Sequence, residues 1–167
     1  MTPIALGMGS NVGDSLRLLQ AAMAELRKVL DVKAVSPLYR TTPMYVVDQP
    51  DFINGALIGE TDLGPRALLA KLKEVEEKIG RQKRERYGPR EIDLDLIAYG
   101  VLRYWFDGGL KPLVVPHPKT VERRFVLMPL FDIDPDLELP GLGKIADLID
   151  QTKEQAADVV RLRDAQL

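Results

Sequence analysis

Leu16, Leu19, Met23 and Leu26 recur at steps of three and four residues, the period of one helical face, and predict a helix within 14–29. An apolar run at 3–8 precedes it, with glycines between, so the chain opens strand, glycine loop, helix. The β-favouring residues from Val32 to Tyr39 predict a second strand ending near Arg40, and Phe52 to Thr61 a third. The two should pair antiparallel across the loop that holds Thr42, Pro43 and Gln49-Pro50. Gly64-Pro65 then starts a second helix whose buried face is Leu68, Leu69, Leu72, Val75 and Ile79, with Gly80 as its stop. Residues 92–98, IDLDLIA, begin in strict alternation and predict a fourth strand.

The resulting order β-α-β-β-α-β belongs to the α+β class. It is that of a ferredoxin-like split βαβ sandwich, an antiparallel sheet covered on one face by two helices. A short strand at Leu113 to Val115, a Pro116-His117-Pro118 turn, and helical stretches around 120–130 and 143–163 are expected to decorate that core as C-terminal additions. No internal repeat, linker or low-complexity segment divides the chain, and its 167 residues suit one domain spanning 1–167.

Composition narrows the chemistry. With 46% hydrophobic and 29% charged residues the chain is of the ordinary globular class, and a net charge of -2 argues against a general nucleic-acid or membrane-surface binder. There is no cysteine, which excludes disulfides, thiolate nucleophiles and cysteine-ligated metals. The start MTPIALGMGSNVGD lacks the charged and long apolar regions of a signal peptide, and no run approaches the ~20 apolar residues of a membrane span. A cytoplasmic monomer is expected.

In a strand, residues two apart share a face with Cα atoms roughly 6.5 to 7 Å apart, so Asp93 and Asp95 aim together while Ile92, Leu94 and Leu96 face the core. Alone, such a pair fits an exposed polar strand face as well as a magnesium site. Just upstream, Arg81, Lys83, Arg84, Arg86 and Arg90 crowd the loop RQKRERYGPRE, where they serve either as a solvated surface or as a polyphosphate cradle. Arginine favours the second use, because its planar fork donates two hydrogen bonds to phosphate and keeps its charge. Arg123 and Arg124 add to the positive set, following the only histidine, His117, in its proline-flanked turn. A neutral imidazole there could donate to a phosphate oxygen.

The segment GMGSNVGD spaces its glycines G-x-G-x-x-x-G with no following G-K-[ST], so it is neither a P-loop nor a Rossmann fingerprint. It reads as a tight turn into a helix capped by Asp14 or a neighbour. RNA recognition on a ferredoxin-like sheet would need an aromatic-rich strand motif that this sequence lacks. A regulatory ligand-binding domain and a γ-phosphoryl or nucleotidyl transferase with the same D-x-D logic are the other readings.

RYGPREIDLDLI at 86–97 resembles the signature of the 6-hydroxymethyl-7,8-dihydropterin pyrophosphokinase family: a basic residue, G-P-R two places on, then D-L-D and two aliphatics. Four collinear stretches strengthen the likeness: LGMGSNVGD near the start, YRTTPM at 39–44, QPDFINGA at 49–56, and VPHP…ERRFVLMPL at 115–130. The resemblance runs from Leu6 to about Ile149. It implies a folate-synthesis enzyme that transfers diphosphate from ATP to the hydroxymethyl group of a reduced pterin and releases AMP.

By that resemblance Asp93 and Asp95 would bind two Mg2+ ions, and Arg81 and Arg90 would contact the triphosphate as catalytic residues. Glu76, Lys83, Tyr87, His117 and Arg123 would complete the nucleotide side. On the pterin side Asn54 would hydrogen-bond the ring, Phe52 and Phe125 would sandwich it, Thr41, Thr42, Pro43 and Met44 would meet its edge, and Tyr87 would close over both substrates. Three positions depart from the family pattern: Tyr87 where many members have tryptophan, Pro118 where some have tyrosine, and Lys73 where an amide is common. The carry-over therefore stops short of individual adenine contacts.

Overall fold

A computed structural model describes residues 1–106 and 113–167. Strand β1 (Thr2–Ser10) leads through a short loop to helix α1 (Ser15–Leu26), capped by the Asp14 carboxylate accepting from the Arg17 amide at 3.3 Å. Strands β2 (Asp31–Val35), β3 (Tyr39–Thr41) and β4 (Phe52–Thr61) follow, then helix α2 (Pro65–Ile79) and strand β5 (Asp93–Tyr99). Pro65 sits in the first turn of α2, where its missing N–H deprives no carbonyl, and Gly80 ends the helix at φ 110°. After β5 come β6 (Tyr104–Phe106), β7 (Leu113–Val115), α3 (Arg124–Ile133), β8 (Glu138–Leu139), β9 (Gly143–Lys144), α4 (Ile145–Asp150) and β10 (Val159–Arg161).

The main sheet runs β10-β3-β4-β1-β5, with β2 also on β4, and every pairing is antiparallel. Its central part has the strand arrangement of the ferredoxin-like order read from the sequence. Ile4, Leu6 and Met8 of β1 and Leu94 and Leu96 of β5 face Leu19, Met23 and Leu26 of α1 and Leu68, Leu72 and Val75 of α2. At about 25 cal/mol per Å2 of apolar area removed from water, these side chains supply the main drive for folding.

Four expectations need correction. The sheet is covered on both faces: Ala5, Ala56, Ile97 and Ala98 meet Val126, Leu127 and Leu130 of α3 and Ile145 and Leu148 of α4 on the side opposite α1 and α2. The strand read as Val32 to Tyr39 is two strands, because Pro37 has no N–H to give the ladder. Ser36 carries the pairing across the break, its amide donating to the Ala56 carbonyl and its hydroxyl accepting from the Ala56 amide, both at 2.9 Å. The first strand continues through Gly7 and Gly9 to Ser10, so the turn begins only at Asn11. Finally, the helix expected over 143–163 is the short α4 and a 3-10 turn, after which Val159–Arg161 pairs with β3 at the sheet edge.

Alternation in β5 fails after Leu96 for a reason the sequence hides. Ala5 pairs with Ala98 and Leu6 with Leu96, which leaves Ile97 as the extra residue of a bulge. Upstream of the bulge, Asp93 pairs with Gly9 and Asp95 with Gly7, placing both carboxylates and both glycines on one face. No helix among the described residues is long and apolar enough to cross a membrane.

Candidate active site

Above that face lies a cleft of about 770 Å3. Its floor is β5 with Asp93 and Asp95, Gly9 of β1, and Phe52 and Asn54 of β4; its walls are the 41–49 loop, the basic loop 81–90, and residues 113–125. Gly9 has a steric reason for its identity. A Cβ there would lie 2.5 Å from the Asn54 Oδ1 atom, so the bare strand makes room for the amide.

The structure gathers Thr41, Thr42, Pro43, Met44, Phe52, Asn54, Tyr87 and Phe125 in this cleft with Arg81, Arg90, Asp93, Asp95, His117 and Arg123. Thr41 is buried and its Oγ1 has no hydrogen-bond partner among the described residues, an orphaned polar atom in the wall where a polar ligand edge was expected. Two expected nucleotide residues are placed elsewhere. Lys83 is exposed and does not line the cleft. Glu76, 2% exposed, lies beneath the floor and has no free oxygen to offer a nucleotide. Its Oε1 accepts from the Leu94 amide at 2.8 Å, and its Oε2 lies 2.7 Å from Arg81 and 3.3 Å from Lys73.

Arg81 thereby spans two acids, Glu76 and Asp93, the latter at 2.9 Å, while Arg90 meets the other Asp93 oxygen at 3.0 Å. Asp95 receives no such pairing among the described residues. Burial, reinforced by the Asp93 charge and opposed by Arg123 and Lys73, pushes its carboxyl up to about 7. Among the described residues no three His, Cys, Asp or Glu side chains cluster as a metal cage. Two carboxylates with only oxygen donors fit a hard cation that takes its other ligands from phosphate and water, as magnesium does.

His117 follows the cis Val115–Pro116 bond. Its Nδ1 accepts from the Lys119 amide at 3.2 Å, so a neutral ring carries its proton on Nε2. Burial, and secondly the Arg123 charge, lowers the imidazole to about 4. A folded value below the ordinary 6.5 gives stability that is present above pH 6.5 and lost as pH falls through 4. Because the chain has one histidine, its proton resonance needs no assignment. A titration of the metal-free protein is expected to show a midpoint near 4, and a midpoint near 6.5 would refute the buried neutral ring.

Four residues of the site were not singled out by sequence. The Asn11 side chain, 5% exposed, accepts from the Arg90 amide at 2.8 Å and donates to Gln49 Oε1 at 3.0 Å and to the Pro50 carbonyl at 2.8 Å. Gln49 in turn donates to the Tyr87 carbonyl at 2.8 Å, so one amide pair ties three loops together. Tyr87 takes φ 61°, a left-handed conformation uncommon for an aromatic residue, and stacks on Tyr45 with ring centres 4.4 Å apart. Lys119 donates to the Tyr87 hydroxyl at 2.5 Å and lies over both rings. That hydrogen bond holds the Tyr87 phenol below its usual pKa. The only signals for these four were adjacency to the motifs: Asn11 within GMGSN, Tyr45 after TTPM, Gln49 before PDF, and Lys119 two places beyond His117.

The model of the family described as 7,8-dihydro-6-hydroxymethylpterin-pyrophosphokinase (HPPK) matches residues 5–135. The chain belongs to the HPPK family. A relative from Aquifex aeolicus, named 2-amino-4-hydroxy-6-hydroxymethyldihydropteridine pyrophosphokinase, is 37% identical over 84% of this chain and 85% of its own length. The mitochondrial folate synthesis bifunctional protein of Pisum sativum is 44% identical over 78% of this chain, which spans only 25% of that longer protein. The crystal structure of Plasmodium falciparum HPPK-DHPS wild type with SDX-DHP covers 96% of the chain with a TM-score of 0.77, and the match takes in 47% of that protein. At 16% identity that likeness shows the fold alone. The HPPK match ends at residue 135, so α4 and β10 lie beyond it although they complete the second core and the sheet edge.

Proposed function

We propose that this chain transfers a diphosphate group from ATP to the hydroxymethyl oxygen of 6-hydroxymethyl-7,8-dihydropterin, releasing AMP, with two magnesium ions held by Asp93 and Asp95. The supporting observation is that one cleft joins a carboxylate and arginine half, around Asp93, Asp95, Arg81 and Arg90, to an aromatic and amide half, around Phe52, Phe125 and Asn54. Membership of the HPPK family supports a reduced pterin as the acceptor.

The pterin's flat ring suits stacking against Phe52 and Phe125, its polar rim suits Asn54 and the orphaned Thr41 hydroxyl, and Tyr87 shields the bound pair from water. Arg81, Arg90 and Arg123 orient the triphosphate, and His117 donates from Nε2 as a neutral ring. In the reaction the pterin oxygen forms a bond to the β-phosphorus, the bridging bond from that phosphorus to the α-phosphate oxygen breaks, and AMP leaves with the oxygen. The hydroxyl proton passes toward the Asp93 and Asp95 pair. Magnesium, when bound there, neutralises charge on the phosphate oxygens. We place this activity in the cytoplasm.

Incubation with ATP, Mg2+ and the reduced pterin should yield AMP that requires the pterin. Free pyrophosphate in place of AMP would indicate nucleotidyl transfer, and ADP γ-phosphoryl transfer; either product would overturn this reading.

A further inference from the structure

The two cations expected to meet the triphosphate already have a partner. Arg81 Nη1 donates to Asp93 Oδ1 at 2.9 Å and Arg90 Nη1 donates to Oδ2 at 3.0 Å, so both oxygens with which Asp93 would take a divalent cation are engaged. All three side chains are about four-fifths buried, which strengthens the pairs relative to surface ones. Asp95 differs: the ion pairs described in the cleft floor end on Asp93 or Glu76 and none on Asp95.

Such an arrangement cannot serve both ligands at full strength while it stays intact. A divalent ion approaching Asp93 meets two guanidinium charges at contact distance from the carboxylate it seeks. A polyphosphate arriving alone meets arginines whose charge is already compensated. We propose that Asp93, Arg81 and Arg90 form a mutual lock: Asp93 is released to a divalent cation as the arginines turn to a polyphosphate, so cation and nucleotide each bind weakly alone and strongly together. The lock rests on the function proposed above and adds to it a thermodynamic coupling built into the protein, beyond the affinity of magnesium for ATP in solution.

The two arginines play unequal parts. Arg81 keeps its second acid, Glu76, at 2.7 Å when Asp93 is withdrawn, so it turns to the polyphosphate without leaving the cleft floor. Arg90 has Asp93 as its only acid partner among the described residues, while its backbone amide is pinned by Asn11 at 2.8 Å. Its side chain is thus the member that swings from a fixed base.

Removing one side of the lock should strengthen binding of the ligand on the other side. Titration calorimetry at pH 8 with an α,β-methylene analogue of ATP in EDTA is expected to show Asp93→Asn binding on the order of tenfold more tightly than the wild type. Asp95→Asn removes the same charge two residues away but breaks no ion pair of an arginine, so only the loss of like-charge repulsion remains and its gain should be several-fold smaller than that of Asp93→Asn. No gain in Asp93→Asn, or an equal gain in both variants, overturns the lock. A second arm uses Mn2+ without nucleotide, followed by electron paramagnetic resonance, on Arg90→Gln. Tighter Mn2+ binding than wild type is expected, and unchanged or weaker binding overturns the proposal even should Asp93→Asn fold poorly. Wild type that fails to take the analogue with Mg2+ present removes the parent function and the lock together. Analogue binding with Mg2+, without the gain in Asp93→Asn, removes the lock alone.

Discussion

Replacing Asp95 with asparagine is expected to raise the melting temperature of the metal-free protein at pH 8 and to lower its pterin-dependent AMP production on the order of 10^3-fold. The first effect comes from burial, and the second from loss of a carboxylate proposed to hold magnesium. The Asp95 carboxyl is pushed from the ordinary 3.8 up to about 7, first by burial and then by the Asp93 charge. Its folded pKa therefore lies above the unfolded one. The associated stability is fully present below about pH 4 and is lost as pH rises through 7, where the half-buried charge must form with no ion-pair partner among the described residues. Asparagine removes that charge, and at ~1.4 kcal/mol per pKa unit the gain at pH 8 is on the order of 2–4 kcal/mol. Thermal melts at pH 8 and pH 4 check this, since the difference between the proteins should vanish at the lower pH. Equal melting temperatures at pH 8 would mean that Asp95 is ionised in the fold without penalty. A functional group that the folded chain tolerates only at some loss of stability is what a site made for an external cation requires.

Glu76→Ala is expected to have the larger effect on the fold. The carboxylate, 2% exposed, is the shared acceptor of Arg81, Lys73 and the Leu94 amide, and its loss leaves Arg81 with Asp93 alone and strands a strand N–H in a buried setting. Breaking a buried pair in this way costs about 3–5 kcal/mol. In a domain of this size that corresponds to roughly 10 °C in melting temperature. Glu76→Gln keeps an oxygen for the Leu94 amide but turns an NH2 toward two cations, and should lie between alanine and wild type in a denaturant titration. Wild-type stability in both variants would show that Glu76 does not organise the cleft floor.

The legible parts of this protein are those whose cause is local. Leu16 to Leu26 and Leu68 to Val75 announce helices because each helix buries one stripe, and Pro65 and Gly80 mark ends with their own backbone constraints. Asp93 and Asp95 could be placed on one face from the pleat alone. The parts that escaped depend on contacts across the chain. Ile97 looks like an interruption of alternation until the bulge against Ala5 and Leu6 is known. Val159 to Arg161 reads as the end of a helical stretch because only the open edge of β3 makes it a strand. Glu76, carried to the nucleotide side by family likeness, sits at helical spacing with the buried Leu72 and Val75, and that stripe was the available sign that it faces the floor. Lys83 shares its loop with Arg81 and Arg90, and composition cannot tell which cations of a basic run turn inward.

Asn11 joins the end of the basic loop to Gln49 and Pro50, and Gln49 reaches on to Tyr87. The two loops that flank the cleft mouth therefore cannot open independently without leaving a buried amide unpaired. Their backbone amides should exchange with solvent as one cooperative unit, at a common opening free energy set by the side chain beneath them rather than by the sequence of either loop.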